Sequence, residues 1–145
     1  MKIFFIVFFI FFSNLIYALN INDAEISGEE INGCNLSKEY SNASISTALR
    51  QNRILIVNKN AVFTFYHQIT AIETSQSNCA VHINFLVNIY DYHQIPVKPP
   101  KKLFLSTPIC SLGTLLTGPK YDMQTRVSDD LRKMTERCIN EIIQM

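Results

Sequence analysis

Cysteine and histidine are the residue types in this chain best suited to bond formation, metal ligation or proton transfer, and there are four of the first and three of the second. Cys34, Cys79, Cys110 and Cys138 are separated by 45, 31 and 28 residues, with no C-x-x-C and no closely spaced Cys/His pair. That spacing lacks the local grammar of a zinc site. Disulfide chemistry suits it better, in any of three connectivities. His67, His82 and His93 are each able to serve as a general base. None has a triad or acid–base partner at a telling spacing, except that His93 follows Tyr90, Asp91 and Tyr92. The sequence contains no G-x-S-x-G, Walker loop, H-E-x-x-H or G-x-G-x-x-G, and only four glycines with which to build a phosphate cradle. No cofactor or metal is expected.

A second group of residues suits contact rather than chemistry. Lys98, Lys101 and Lys102 lie among Pro96, Pro99 and Pro100, which predicts an exposed basic loop over 94–102 and a candidate partner-contact patch. Asn35 with Ser37 and Asn42 with Ser44 match N-x-[ST], which matters only in a cell that glycosylates exported proteins. Without Lys2, acidic and basic residues balance at twelve each. Such a chain lacks the basic excess that nucleic acid binding normally requires.

The start of the chain fixes the expected compartment. Met1 and Lys2 precede an apolar run from Ile3 to Phe12, and small Ala18 follows a few residues later. This is the arrangement of a secretory signal, with cleavage expected after Ala18. Ten apolar helical residues rise about 15 Å, half a bilayer core, so stable membrane insertion is not expected after cleavage. An uncleaved anchor is the alternative. An oxidising destination also favours paired cysteines.

Residues 19–145 are of a size for one domain. The stretch 19–36 carries Asp23, Glu25, Glu29 and Glu30 without a basic residue, and reads as a loose acidic lead or at best an edge strand. A helix is expected over 37–51, capped by Ser37 with Glu39 in its first turn. A short strand follows at 54–57, then a hairpin of 62–73 and 79–92. In the second arm Cys79, Val81, Ile83, Phe85, Val87 and Ile89 share one face, while Ala80, His82, Asn84, Leu86, Asn88 and Tyr90 share the other. One face is core and the other wet, the signature of an antiparallel sheet covered on one side. Strand character resumes at Leu103, is interrupted by Pro108, and continues through 113–116 beyond a bulge or turn.

The last element is a helix over 122–144. Met123, Val127, Leu131, Met134, Cys138 and Ile142 form its apolar stripe, with Asp129–Lys133 and Arg126–Asp130 spaced for i,i+4 pairing. The sum is an α+β two-layer sandwich, with an antiparallel sheet of three to five strands, an N-terminal helix and a long C-terminal amphipathic helix. Cys79 and Cys138 both face the interface between sheet and last helix. They are expected to be buried there, either as free thiols or as a bridge that leaves Cys34 to join Cys110. The expected role is a small periplasmic or secreted protein that binds a protein or small molecule without catalysis. The alternatives are a small exported hydrolase using a histidine and an envelope protein held by an uncut signal.

Overall fold

The computed structural model describes residues 21–95, 99 and 101–145, and of residues 92–95 and 101–104 only the backbone. The expected signal peptide and Lys98 therefore lie outside the described residues. Chain order is β1 (Asp23–Gly28), α1 (Lys38–Gln51), β2 (Leu55–Ile56), β3 (Phe63–Glu73), β4 (Asn78–Ile95), β5 (Lys101–Pro119) and α2 (Lys120–Ile143). The fold is α+β, one five-stranded sheet in the order β2-β1-β3-β4-β5 with both helices on one face.

The antiparallel part follows from local sequence. β3 and β4 pair from Phe63↔Ile89 to Glu73↔Cys79, and β4 and β5 pair from Asn78↔Pro119 to Ile95↔Lys101. Cys79, Val81, Ile83, Phe85 and Val87 are buried, and His82 on the other parity is exposed. β5 runs through Pro108 with a register shift opposite Val87 and Asn88, where Ile109 is the extra residue of a bulge. The basic loop is consequently shorter than expected. β4 extends to Ile95, and Lys101 and Lys102 belong to β5, where they pair with Ile95 and Gln94.

The other edge corrects the reading of 19–36. β1 lies inside the sheet, parallel to β2 on one side and to β3 on the other. Parallel neighbours need a crossover, and α1 supplies the one between β1 and β2. Asp23, Glu25 and Ser27 point to the open face, and Ala24, Ile26 and Gly28 to the helices. Two of the three inward residues are small because the core approaches β1 closely. The strand consequently lacks the large apolar alternation that announces one.

α1 buries Ser41, Ile45, Ala48 and Leu49, and α2 buries Met123, Val127, Leu131, Thr135, Cys138, Ile139 and Ile142. Thr135 satisfies its hydroxyl by donating to the Leu131 carbonyl at 2.7 Å. Ser37 occupies the N-cap position of α1 without a side-chain cap, since its hydroxyl donates to the Glu39 carboxylate. Its N–H instead donates to Gln124 Oε1 at 2.7 Å, which links the two helices. The expected i,i+4 pairs on α2 are replaced by Asp129–Arg132 at 3.8 Å and Asp130–Lys133 at 3.9 Å, while Arg126 donates to the Thr117 carbonyl at 2.8 Å.

The disulfides are Cys34–Cys79 and Cys110–Cys138, with Cα separations of 6.0 and 5.7 Å. Burial of Cys79 and Cys138 is as expected, but the pairing is not. The reason is height along the interface. From Cys110 to Pro119, β5 climbs about 30 Å, and from Lys120 to Cys138, α2 returns about 27 Å. Cys138 thus comes back to the level of Cys110, whereas Cys79, opposite Gly118, stays at the far end. On loop length, the two bridges stabilise the domain by about 4 and 3.5 kcal/mol.

Candidate functional site

β3 directs His67 into the core. Its ring is fully buried, with Nε2 2.7 Å from Asn42 Oδ1 on α1. An amide oxygen only accepts, so Nε2 carries the proton and Nδ1 is left as a lone-pair nitrogen, buried and without a partner among the described residues. Burial, with a smaller contribution from the Lys38 charge, pushes the imidazole down to about 4. The ring lies against Gly28, its register neighbour on β1, where an added Cβ would sit 2.3 Å from the imidazole. This is a neutral, hydrogen-bonded core histidine. Asn42 is committed to it, which leaves Asn35 as the exposed member of the two N-x-[ST] matches.

Along β3, β4 and β5 the opposite face of the sheet is uncovered except at buried Thr64, and on β1 it carries Asp23 and Glu25. Its rows across β3, β4 and β5 are Ile72–Ala80–Thr117, Thr70–His82–Leu115, Gln68–Asn84–Gly113 and Tyr66–Leu86–Ser111. With Thr64, Asn88 and Tyr90 these make fifteen positions and no charged residue. A soluble surface carries roughly 25–35% charged residues, so about four or five were to be expected. Ile72 and Leu115 are 61% and 66% exposed. Glu29 sits at the fringe, accepting from Tyr66 Oη at 2.7 Å and Gln68 Nε2 at 3.0 Å. Those two donors hold its carboxyl below the usual range, and the same contact pushes the Tyr66 phenol up.

A third feature lies beside α1, where β2 ends after two residues. There a cleft of about 380 Å³ is lined by Glu25, Ile26, Ile56 and Val57 from the sheet edge and by Glu39 and Asn42 from the helix.

The residues singled out in the sequence do not converge. The cysteines are consumed in two bridges, and His67 and His82 project from opposite faces of the sheet. The side chains of His93, Lys101 and Lys102 lie outside the described residues. Among the described residues, no group of three or more His, Cys, Asp or Glu is placed to hold a metal, and no helix is long and apolar enough to cross a membrane. Gly28, Asn42, Glu25 and Glu39 acquire their setting only in the fold, because no local period links them. Only the closeness of Gly28 to His67 gives that glycine a role. The uncharged face was partly visible, as the wet parity of β4.

No protein-family model and no curated protein matches the sequence. Among solved structures, the chain is similar to the PelC L103M dodecamer from Paraburkholderia phytofirmans, at 12% identity and a TM-score of 0.48 over 86% of this chain and 90% of that one. It is also similar to the hypothetical protein CT253 from Chlamydia trachomatis, at 10% identity and a TM-score of 0.43 over 83% and 98%. A third is the rare lipoprotein B from Shewanella oneidensis, at 12% identity and a TM-score of 0.37 over 85% and 95%. At such identities no residue's role passes from those proteins to this chain.

Proposed function

We propose that this chain is an exported, non-catalytic interaction domain that loses residues 1–18 and meets a protein partner through its open sheet face. The observation that carries this reading is the uncharged part of that face, on β3, β4 and β5 beside the acidic positions Asp23 and Glu25 of β1. Fifteen outward positions on β3, β4 and β5 hold hydroxyl, amide, aromatic and aliphatic side chains and no charge, although the chain has 25 charged residues to distribute. Interface centres are depleted of charge because each buried ion must be desolvated. Two disulfides and the signal-like start support an oxidising destination, periplasmic or extracellular.

The test is site-specific photo-crosslinking of the full chain in its own cell, with the photoreactive residue at position 84 or 115 of the face, or at half-exposed position 132 of α2 as control. Adducts of one discrete mass from 84 and 115, absent from 132, are expected. Equal adducts from all three positions, or none, would reject the face. Intact mass of the exported product tests the compartment, with a start at Leu19 and no free thiol expected.

A further inference from the structure

We infer that the edge of β1 beside α1 is a strand-accepting groove for a short, basic, extended segment of a partner protein, a site separate from the open face. The backbone of β1 is only partly used. Leu55 N–H donates to the Asn22 carbonyl and Val57 N–H to the Ala24 carbonyl, each at 3.0 Å, so the even-numbered residues turn their peptide groups toward β2. Glu29 N–H donates to the His67 carbonyl at 3.3 Å, so the odd-numbered ones turn toward β3. β2 stops at Ile56, whereas β1 continues to Gly28. The N–H and C=O groups of Ile26 therefore face the cleft, and those of Gly28, one ladder step beyond its lining, turn the same way, with no hydrogen-bond partner among the described residues.

An unpaired strand edge is a template for another strand. Here it faces a volume of about 380 Å³, room for a segment of roughly three residues. Ile26, Ile56 and Val57 offer that segment an apolar contact, and Glu25 and Glu39 stand on either side. The lining includes no basic side chain, so the charge complement is lysine or arginine on the incoming segment. Hydrogen bonds from Ser37 and from its own backbone hold the Glu39 carboxyl below the usual range, which keeps it anionic over the physiological range. The neighbouring cation Lys38 is engaged elsewhere, with Glu30 at 3.2 Å.

The experiment measures fluorescence anisotropy of the purified protein with labelled Thr-Lys-Val-Lys-Thr. It compares Thr-Glu-Val-Glu-Thr and a copy of the lysine peptide N-methylated along its backbone. Saturable binding below about 1 mM is expected for the lysine peptide, with losses of about tenfold or more for the other two. The double variant Glu25→Gln, Glu39→Gln should weaken the lysine peptide by about tenfold while leaving the circular dichroism spectrum unchanged. Hydrogen exchange at the Ile26 and Gly28 amides should slow when the peptide is present. Equal affinity for the N-methylated peptide would remove the strand-addition mode. Equal affinity for the glutamate peptide, an unaffected double variant, or protection that spares Ile26 and Gly28 would each overturn the site, as would no saturation by about 1 mM.

Discussion

The two halves of the sheet are built by different means. β3, β4 and β5 are long, antiparallel and joined by short connections, and each carries its own alternation of buried and exposed residues. β1 and β2 have six and two residues, pair in parallel, and depend on α1 to cross between them. In the first half a residue's face is settled by its parity. In the second it is settled by fit, with Gly28 accommodating the His67 ring and Asn42 answering its N–H. Stability in the antiparallel half is accordingly a matter of buried area, and in the parallel half of a few specific contacts. The bridge Cys34–Cys79 joins the halves, since Cys34 lies in the loop after β1 and Cys79 is the second residue of β4. Its arrival is local work, as Gly33, Cys34 and Asn35 all take positive φ, at 98°, 59° and 56°. The non-glycine members adopt such angles at a cost of roughly 1 to 2 kcal/mol each.

The largest effect expected from breaking either half is in the antiparallel one. Phe85→Ala removes a fully buried ring that packs 6.2 Å from that of Phe65, and should cost about 3 to 5 kcal/mol in urea unfolding. A loss below about 1 kcal/mol would mean that this half is not held by area.

The contact between the halves, where His67 of β3 meets Gly28 of β1, should respond to pH. His67 is pushed down to about 4 in the fold against an ordinary value near 6.5, so between those values the unfolded chain binds the extra proton. Stability from this group is therefore fully present above about pH 6.5 and is lost as pH falls toward 4, by about 3 kcal/mol. Lys38 is the cation that reinforces the effect. Urea midpoints at several pH values, compared with His67→Gln, check this. A slope unchanged by the substitution would place the acid sensitivity elsewhere.

Gly28→Ala comes next, at about 1 to 3 kcal/mol, because its methyl must displace a buried ring. Combined with His67→Ala the clash disappears, so the two losses should be non-additive by about 1 kcal/mol or more. Simple additivity would separate the glycine from the histidine. The smallest effect belongs to the open face. Asn88→Ala should change stability by less than about 0.5 kcal/mol, since its parity turns it away from the helices. A larger loss would mean that this face is covered within the domain itself.

How much of this was legible in the sequence divides along the same line. The α+β class, the hairpin and the stripe of α2 were readable, because periods of two and 3.6 are local properties that backbone geometry imposes on neighbouring residues. Burial of Cys79 and Cys138 followed from those periods. Their partners did not follow, because periodicity reports which face a residue occupies and is silent about its height along that face. Height was decided by the turn at Pro119 and Lys120, which sends α2 back along an unbroken β5 until Cys138 meets Cys110. β1 was hidden for a related reason: small residues mark a strand only when it is known what presses against them. That Gly28 leaves room for a histidine, and that β2 ends early enough to leave an edge and a cleft, are consequences of contacts between segments about forty residues apart, and only the tertiary structure decided them.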